Sequence, residues 1–247
     1  MSLFKNDQIF IVTGASSGIG RGIAVSLCNE GATVVGIGRN ENRLIETKKL
    51  CQNPERFFLE VKDLTLDIEN LPQYVTELKN KYGKFQGLVC SAGVVAIEPF
   101  MMLEYTTMQE LFNINYFVPM QLMKGFLDKR NILKENVTIV AIASIVTYLM
   151  EKGMSQYVAS KSALKNSCKT IAKEYVNRGI RINTISPADV ETPMTKSIEE
   201  IREDRSTVYP LGQTTIKDIS SMALFLLSDN AKHITGEDFV INGGLIV

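Results

Sequence analysis

Short apolar segments alternate with segments of helical period along nearly the whole chain, and this alternation limits the fold more than any other feature. The strand candidates are Ile9–Val12, Thr33–Ile37, Arg56–Glu60, Gly87–Cys90, Val137–Ala143, Arg181–Ile185 and Phe239–Ile241. The helical segments lie near 18–30, 41–51, 67–82, 104–130, 155–178 and 216–228. Most strand candidates are apolar throughout, as expected for strands that helices cover on both faces. The sequence therefore predicts right-handed βαβ units in an α/β fold, with a doubly wound, mostly parallel, Rossmann-like sheet of about seven strands.

No linker, repeat or low-complexity stretch interrupts this pattern, so residues 1–247 are expected to form a single domain. A chain of this length buries roughly 70% of its unfolded surface and needs no disulfide or metal to fold. It carries 27 basic and 27 acidic side chains, and this balance argues against a nucleic-acid partner. The one histidine, His233, excludes multi-histidine metal centres, and a solvated surface loop explains it better than a catalytic base.

Two features of the chain favour a cytoplasmic protein without a membrane partner. The apolar run Ile9–Val12 is too short for the core of a signal peptide. The longest uncharged stretch, Val137–Met150, is shorter than the about 20 residues that cross a bilayer, so it is expected to be a buried strand and its loop. The cysteines are unpaired in spacing and lie in or near apolar segments, which indicates free thiols: Cys28, Cys51, Cys90 and Cys168.

A glycine-rich sequence, TGASSGIG, follows the first predicted strand and opens the first predicted helix. Glycines let the backbone turn tightly and approach a pyrophosphate, while the helix N-terminus offers N–H groups and a partial positive charge. A turn that merely packs strand against helix would look the same, but its place after the first strand favours dinucleotide binding. The predicted contacts are Gly14, Ser16, Ser17, Gly18, Ile19 and Gly20.

The end of the second predicted strand indicates which dinucleotide is bound. An acidic residue there would accept hydrogen bonds from a free ribose 2′-hydroxyl and favour NAD. This chain has Gly38 followed by Arg39, and a guanidinium binds a 2′-phosphate through charge-assisted hydrogen bonds. An ordinary solvated arginine is the alternative for Arg39. Since the acidic residue is missing as well, the sequence predicts NADP (NADPH) rather than NAD.

Three further residues form a candidate catalytic set. Ser144 directly follows the strand Val137–Ala143, and Tyr157 and Lys161 lie four apart in a predicted helix, so they share one face. A free tyrosine has a pKa of about 10, but a nearby ammonium favours the phenolate and makes proton transfer to or from a substrate oxygen feasible. Alone, the Tyr-xxx-Lys spacing favours a core tyrosine and a surface lysine, because it often occurs by chance.

Taken together, these motifs resemble the single-domain branch of the short-chain dehydrogenase/reductase family. The matching elements are TGASSGIG, Asn115, Ser144, YVASK ending at Lys161, SPADVETPM at 186–194, YPLG at 209–212 and FLLSDNAKHITGEDFVINGG. The resemblance covers essentially all 247 residues, and from Arg181 onward it is closest to the branch that contains 3-oxoacyl-[acyl-carrier-protein] reductases. It implies a single dinucleotide-binding and catalytic domain.

The resemblance also implies residue roles. Tyr157 is the proton donor or acceptor, Ser144 hydrogen-bonds the substrate oxygen, and Lys161 binds the nicotinamide ribose and favours the phenolate of Tyr157. Asn115, rather than Asn113, holds a water in a proton relay from Lys161. The further implied cofactor contacts are Asp63, Leu64, Ala92, Gly93, Pro187, Val190 and Thr192. Two residues depart from the family pattern, namely Cys90 at a usual asparagine and Ala188 at a usual glycine.

The expected function is hydride transfer between NADP(H) and a carbonyl or secondary alcohol, the substrate being a small molecule or an acyl thioester. A dinucleotide-sensing protein without turnover is the alternative, and a nucleotide-sugar epimerase is disfavoured because the chain is short for one. Residues 194–209 are expected to cover the nicotinamide and select the substrate. An acidic acyl carrier would need a basic patch, for which the candidates are Lys124, Lys129 and Arg130. The resemblance further implies a homotetramer or dimer built through the helices at 104–130 and 155–178.

Overall fold

The computed structural model describes residues 3–5, 7–192 and 209–245, and its centre is one parallel sheet. The strands are β1 (Ile9–Thr13), β2 (Thr33–Gly38), β3 (Phe57–Val61), β4 (Gly87–Cys90), β5 (Thr138–Ile142), β6 (Arg181–Pro187) and β7 (Asp238–Ile241). All neighbours pair in parallel in the order β3-β2-β1-β4-β5-β6-β7. The predicted fold class is confirmed, since the strand order reverses direction between β1 and β4 as in doubly wound sheets.

Helices cover both faces of this sheet. They are α1 (Gly18–Asn29), α2 (Glu41–Leu50), α3 (Leu71–Tyr82), α4 (Tyr105–Phe112), α5 (Val118–Phe126), α6 (Val146–Leu149), α7 (Ser155–Tyr175) and α8 (Ile216–Leu227). One core contains Leu71, Leu122 and Leu164 from α3, α5 and α7. The other contains Ile23 and Ile219 from α1 and α8. The central strands β1, β4 and β5 are buried almost throughout and carry mostly apolar side chains, because helices cover them on both sides.

Two helix predictions need correction. The segment predicted as one helix over 104–130 is interrupted by a π-helical turn at Asn113–Phe117, between α4 and α5. Pro119 lies in the first turn of α5 and has no N–H to donate to the carbonyl of Asn115, so a regular α-helical ladder cannot continue there. The helix predicted over 67–82 begins only at Leu71. In addition, the predicted loop after β5 contains the short helix α6.

Close packing between helices depends on small residues at two crossings. Gly125 of α5 lies against α3, where a Cβ would come within 2.6 Å of the Cα of Pro72. Gly22 of α1 has no room for a side chain beside Ile216 of α8. No helix within residues 3–192 and 209–245 is long and apolar enough to span a membrane.

Candidate active site

A cleft opens at the carboxyl ends of the strands, beside the point where the strand order reverses between β1 and β4. Its volume is about 610 Å³, within the range of small-molecule sites. The predicted residues that line it are Gly14, Ser16, Ser17, Gly18, Ile19, Gly20, Arg39, Asp63, Leu64, Ala92, Gly93, Ser144, Tyr157, Lys161, Pro187, Val190 and Thr192. Residues predicted from widely separated motifs therefore meet in one place.

The start of α1 is suited to bind an anion. Its N-cap residue, Ser17, makes no side-chain capping hydrogen bond, and the first turn holds no acidic residue. By contrast, α8 satisfies its own first turn through a capping box between Thr215 and Asp218. Gly14 and Gly18 take positive φ angles of 69° and 53°, which bring the backbone of the loop to the cleft. The loop thus fits a pyrophosphate.

The hydroxyl of Thr13 ties the end of β1 to the end of β4. It accepts hydrogen bonds from the backbone N–H groups of Ser91 (3.0 Å) and Ala92 (3.1 Å), and it lies 3.4 Å from the carbonyl of Val89. The neighbouring Cys90 is buried in the core that faces α7. The strand ends that flank the cleft are therefore held by Thr13, although the family's usual asparagine is absent.

Replacing Thr13 by valine, which has nearly the same shape, is expected to lower the free energy of unfolding by about 2–5 kcal/mol. The reason is that two partly buried N–H groups lose their acceptor. A fully buried group would cost roughly 1–3 kcal/mol, and partial exposure keeps the sum below the upper limit of about 6 kcal/mol. Urea unfolding followed by circular dichroism measures the change. Thr170→Val on the exposed side of α7 is the matched control, with an expected change within about 0.5 kcal/mol. Equal effects of the two substitutions would contradict the role given to Thr13.

Arg39 and Asp63 lie together at one end of the cleft. Their side chains approach to 3.8 Å, and that of Arg39 is 72% exposed. Partial burial acts to raise the pKa of Asp63, but two hydrogen bonds from Thr65 and the Arg39 guanidinium outweigh it, so the pKa is lowered. An ion pair this exposed contributes little stability. The Arg39 guanidinium can therefore turn to a phosphate at small cost.

Ser144 follows β5 by two residues and is half-buried in the cleft wall. Its carbonyl accepts hydrogen bonds from the N–H (3.2 Å) and the hydroxyl (3.0 Å) of Thr147. The next residue, Ile145, donates its N–H to the carbonyl of Pro187 at the end of β6. The backbone around Ser144 is thus fixed both by α6 and by the neighbouring strand.

Tyr157 and Lys161 lie one turn apart on α7, and both side chains are buried while lining the cleft. The Nζ atom of Lys161 donates a 2.8 Å hydrogen bond to the carbonyl of Ile142. Burial lowers the pKa of Lys161 to about 8, and the nearby Cys90 opposes this shift. A cation so poorly solvated is strongly drawn to any negative charge that develops beside it.

Asn115 is fully buried and does not line the cleft with the other predicted site residues. Its Oδ1 accepts from the N–H of Val94 at 3.0 Å, and its Nδ2 donates to the Val94 carbonyl at 2.9 Å and to the Ser160 hydroxyl at 3.1 Å. A Cβ on Gly93 would come within 2.9 Å of Oδ1. The carboxamide of Asn115 therefore holds the loop after β4 against α7. The backbone carbonyl of Asn115 has no α-helical donor, because Pro119 has no N–H.

Several lining residues were not predicted from the sequence. The most informative are the apolar side chains of Val94, Val95, Val146 and Met154, which pack around Tyr157 or extend along the cleft. Their only sequence signal is proximity to the motifs. Lys62 also lines the cleft, and its place directly before Asp63 could have indicated it.

The remaining sequence predictions have mixed outcomes. His233 is exposed in a turn, as expected for a solvated loop. Arg130 is paired with Asp128 at 2.5 Å, so it adds little free positive charge to a basic patch. The segment predicted to cover the nicotinamide spans residues 194–209, and its residues 194–208 lie outside the described residues. The hydroxyl of Tyr209, at its far end, donates a 2.8 Å hydrogen bond to Asp189 at the near side.

The fold and cleft together define an α/β protein of the Rossmann-like class, and comparisons with known proteins identify the family. Residues 14–246 match the family model described as enoyl-(acyl carrier protein) reductase. The 3-oxoacyl-[acyl-carrier-protein] reductase of Thermotoga maritima is 30% identical over 246 residues, covering 97% of this chain and 98% of that protein. The Escherichia coli reductase of the same name is 30% identical over 241 residues, covering 96% and 97%.

Solved structures agree with the sequence relatives. A short-chain dehydrogenase/reductase described as glucose/ribitol dehydrogenase, from Brucella melitensis, superposes with a TM-score of 0.91 at 28% identity over the whole of both chains. The aldohexose dehydrogenase of Thermoplasma acidophilum has a TM-score of 0.84 at 25% identity, covering 97% of this chain and 94% of that one. The chain belongs to the short-chain dehydrogenase/reductase family, whose members are oxidoreductases acting on carbonyl or alcohol groups.

Proposed function

We propose that this protein is an NADPH-dependent reductase that transfers a hydride between NADP(H) and a carbonyl or secondary alcohol, with Tyr157 as the general acid and base. One observation carries the proposal. The buried pair of Tyr157 and Lys161 opens on the same cleft as the glycine loop and Ser144. A sensor that only binds a dinucleotide has no use for a proton donor in this position.

The residues divide the reaction between them. When bound in the cleft, NADPH would supply the hydride for the carbonyl carbon of the substrate. Ser144 donates a hydrogen bond to the carbonyl oxygen, and Tyr157 delivers the proton that this oxygen takes up. The Lys161 ammonium stabilises the phenolate left behind and hydrogen-bonds the nicotinamide ribose. In the oxidative direction the same groups act in reverse, with Tyr157 accepting the alcohol proton.

A route for replacing the proton passes through the π-helical turn. Pro119 removes the α-helical donor from the Asn115 carbonyl, and this oxygen is proposed to hold a water on the path between Lys161 and solvent. The carboxamide of Asn115 keeps the turn in place through Val94 and Ser160. Asn115 therefore supports the relay with its backbone and the site geometry with its side chain.

Arg39 is proposed to bind the 2′-phosphate of NADPH, and this sets the cofactor preference. Arg39→Ala is expected to raise KM for NADPH about 10- to 100-fold and to leave KM for NADH nearly unchanged, because a hydrogen bond to a charged group is worth roughly 1.5–3 kcal/mol. Initial rates with both cofactors measure the shift. Lys49→Ala, which removes an exposed cation of α2 outside the cleft, is the control. A wild-type preference for NADH would contradict the assignment.

The apolar wall around Tyr157 favours a substrate with an apolar chain beside its carbonyl, either a ketone or a 3-oxoacyl thioester. Val146 and Met154 pack directly with Tyr157, and Val94 extends the same surface. The acyl-carrier-protein reductases among the relatives support the thioester. A polyhydroxylated sugar would leave its hydroxyls without partners on these side chains.

The decisive experiment compares NADPH and NADH oxidation side by side with acetoacetyl thioesters, simple ketones and sugars. Turnover of a thioester or ketone with NADPH is the expected result. Tight NADPH binding without turnover of any member of the panel would favour the dinucleotide sensor instead. Preferential turnover of sugars would contradict the substrate class while keeping the reaction.

We further propose one domain over residues 1–247, a cytoplasmic location, and a homotetramer or dimer that associates through α4, α5 and α7. Exposed aromatic side chains on or beside these helices, among them Tyr105 and Phe117, support association. Light scattering on the purified protein tests it, and a monomer at micromolar concentration would contradict it.

A further inference from the structure

A largely buried carboxylate at the start of β7 accepts hydrogen bonds from three hydroxyl groups. Asp238 accepts from Thr184 at 2.6 Å, from Ser186 at 2.9 Å and from Tyr148 at 2.7 Å. Its side chain is only 13% exposed. Thr184 and Ser186 lie on the adjacent strand β6, whereas Tyr148 lies on α6, four residues beyond Ser144. The carboxylate thus connects the sheet to the segment that carries the substrate-facing hydroxyl.

Lys165 connects the same segment to α7. Its Nζ donates a 3.0 Å hydrogen bond to the Thr147 hydroxyl, lies 3.8 Å from the centre of the Tyr148 ring, and is 4.0 Å from the Asp238 carboxylate. The Thr147 hydroxyl in turn donates to the carbonyl of Ser144. A continuous chain of contacts therefore runs from Lys165 through Thr147 to the backbone of Ser144.

The segment that follows Ser144 needs such support. Helix α6 has only four residues and ends at Leu149. The next residue, Met150, takes a left-handed conformation with φ of 53°. A single turn of helix is not stable by itself, because too few hydrogen bonds offset the entropy of ordering it. Contacts to the sheet and to α7 must fix its position. The N–H of Ile145 donates to the Pro187 carbonyl of β6, and Thr147 and Tyr148 add polar side-chain contacts.

We propose that Tyr148, Lys165 and Asp238 are positioning residues, which hold α6 so that the Ser144 hydroxyl stays directed at the substrate oxygen. This inference rests on the proposed role of Ser144. Burial and the hydrogen bond to Asp238 raise the pKa of Tyr148 to about 12, so its hydroxyl keeps donating throughout the working pH range. Tyr148 lines a separate small cavity rather than the main cleft, so it acts through Ser144 and does not touch the substrate.

A double-mutant cycle with Ser144 tests the proposal. Tyr148→Phe keeps the ring beneath Lys165 but removes the hydroxyl from Asp238. It is expected to lower kcat for ketone or thioester reduction about 10-fold, with KM for NADPH unchanged, since small misplacements of catalytic groups are costly. In the Ser144→Ala background the same change should have almost no effect, because no hydroxyl remains to be positioned.

The matched control is Tyr82→Phe. It removes another hydrogen bond from a tyrosine to a carboxylate, to Glu60 at 2.6 Å, at the opposite edge of the sheet. It is expected to leave kcat unchanged in both backgrounds. Equal losses from Tyr148→Phe with and without Ser144 would overturn the proposal, because they would show a general structural effect.

Amide hydrogen exchange provides a readout that needs no substrate. In Tyr148→Phe the peptide over residues 144–150 is expected to exchange at least several-fold faster than in the wild type, while peptides of β1 and β2 stay unchanged. Unchanged exchange at 144–150 would overturn the positioning role even if the enzyme is active. Faster exchange at 144–150 in a protein that shows no turnover would support the positioning role. That result would count only against the proposed function.

Discussion

A Tyr157→Phe variant is expected to lose about 100- to 10,000-fold in kcat, the range for loss of a general acid. The substitution removes one oxygen atom and preserves the ring, which packs against Leu111, Val146 and Met154. Binding of NADPH should therefore remain close to that of the wild type. The proton that the substrate oxygen needs would have to come from water, in a cleft whose nearby walls are apolar. Initial rates at saturating NADPH measure the loss.

His233→Gln is the control for this experiment. His233 is exposed in a turn close to the C-terminal strand, and its replacement should leave kcat nearly unchanged. A Tyr157→Phe enzyme with kcat within about 5-fold of the wild type would contradict the mechanism. A loss in the His233 variant as large as that in the tyrosine variant would do the same.

Replacement of Lys161 by methionine is expected to lower kcat/KM at least about 100-fold, because the phenolate of Tyr157 loses its cation and the ribose loses a hydrogen-bond donor. The wild type should also show a pH profile set by this residue. Since burial lowers the pKa of Lys161 to about 8, the charged form is lost as the pH rises above this value. We expect kcat/KM for reduction to fall from about pH 8 upward.

The same buried charge affects stability in a defined direction. The pKa of Lys161 is about 8 in the folded protein and about 10.5 when unfolded, so below pH 8 both states are protonated and the folded state bears the desolvation cost. Between these values the unfolded state holds more protons, and stability rises with pH. This difference in pKa corresponds to about 3 kcal/mol.

Urea unfolding of the wild type and Lys161→Met at pH 7 and pH 10 isolates this effect. The stability of the wild type relative to the variant is expected to increase by up to about 3 kcal/mol between the two pH values. Taking the difference cancels other groups that titrate in the same range. A difference that does not change with pH would show that Lys161 is not buried as a cation.

Much of this architecture can be predicted from sequence because the determining forces are local or periodic. Short runs rich in apolar and β-branched residues predict all seven strands to within one or two residues of their observed bounds, most clearly for the central strands, which are buried on both faces. The glycine loop was also predictable, since Gly14 and Gly18 adopt backbone conformations that other residues rarely take.

The π-helical turn could not be predicted, because its apolar residues continue the helical period on both sides. Only Pro119, four residues after Asn115, indicates locally that a carbonyl loses its donor. Hydrogen bonds between residues far apart in the sequence could not be predicted either. Tyr148 and Asp238 are 90 residues apart, and no local pattern relates a tyrosine after β5 to an aspartate in β7.

The hydrogen bond between Tyr209 and Asp189 has a consequence for how this protein could be altered. It brings together two points that are 20 residues apart in the chain, so the framework positions on either side of the intervening segment lie next to each other. Closing a longer loop between fixed ends costs only about 0.6 kcal/mol for each doubling of its length. A change in the length of the chain between Thr192 and Tyr209 is therefore expected to cost little stability, because the Tyr209–Asp189 hydrogen bond fixes the distance that the chain must close.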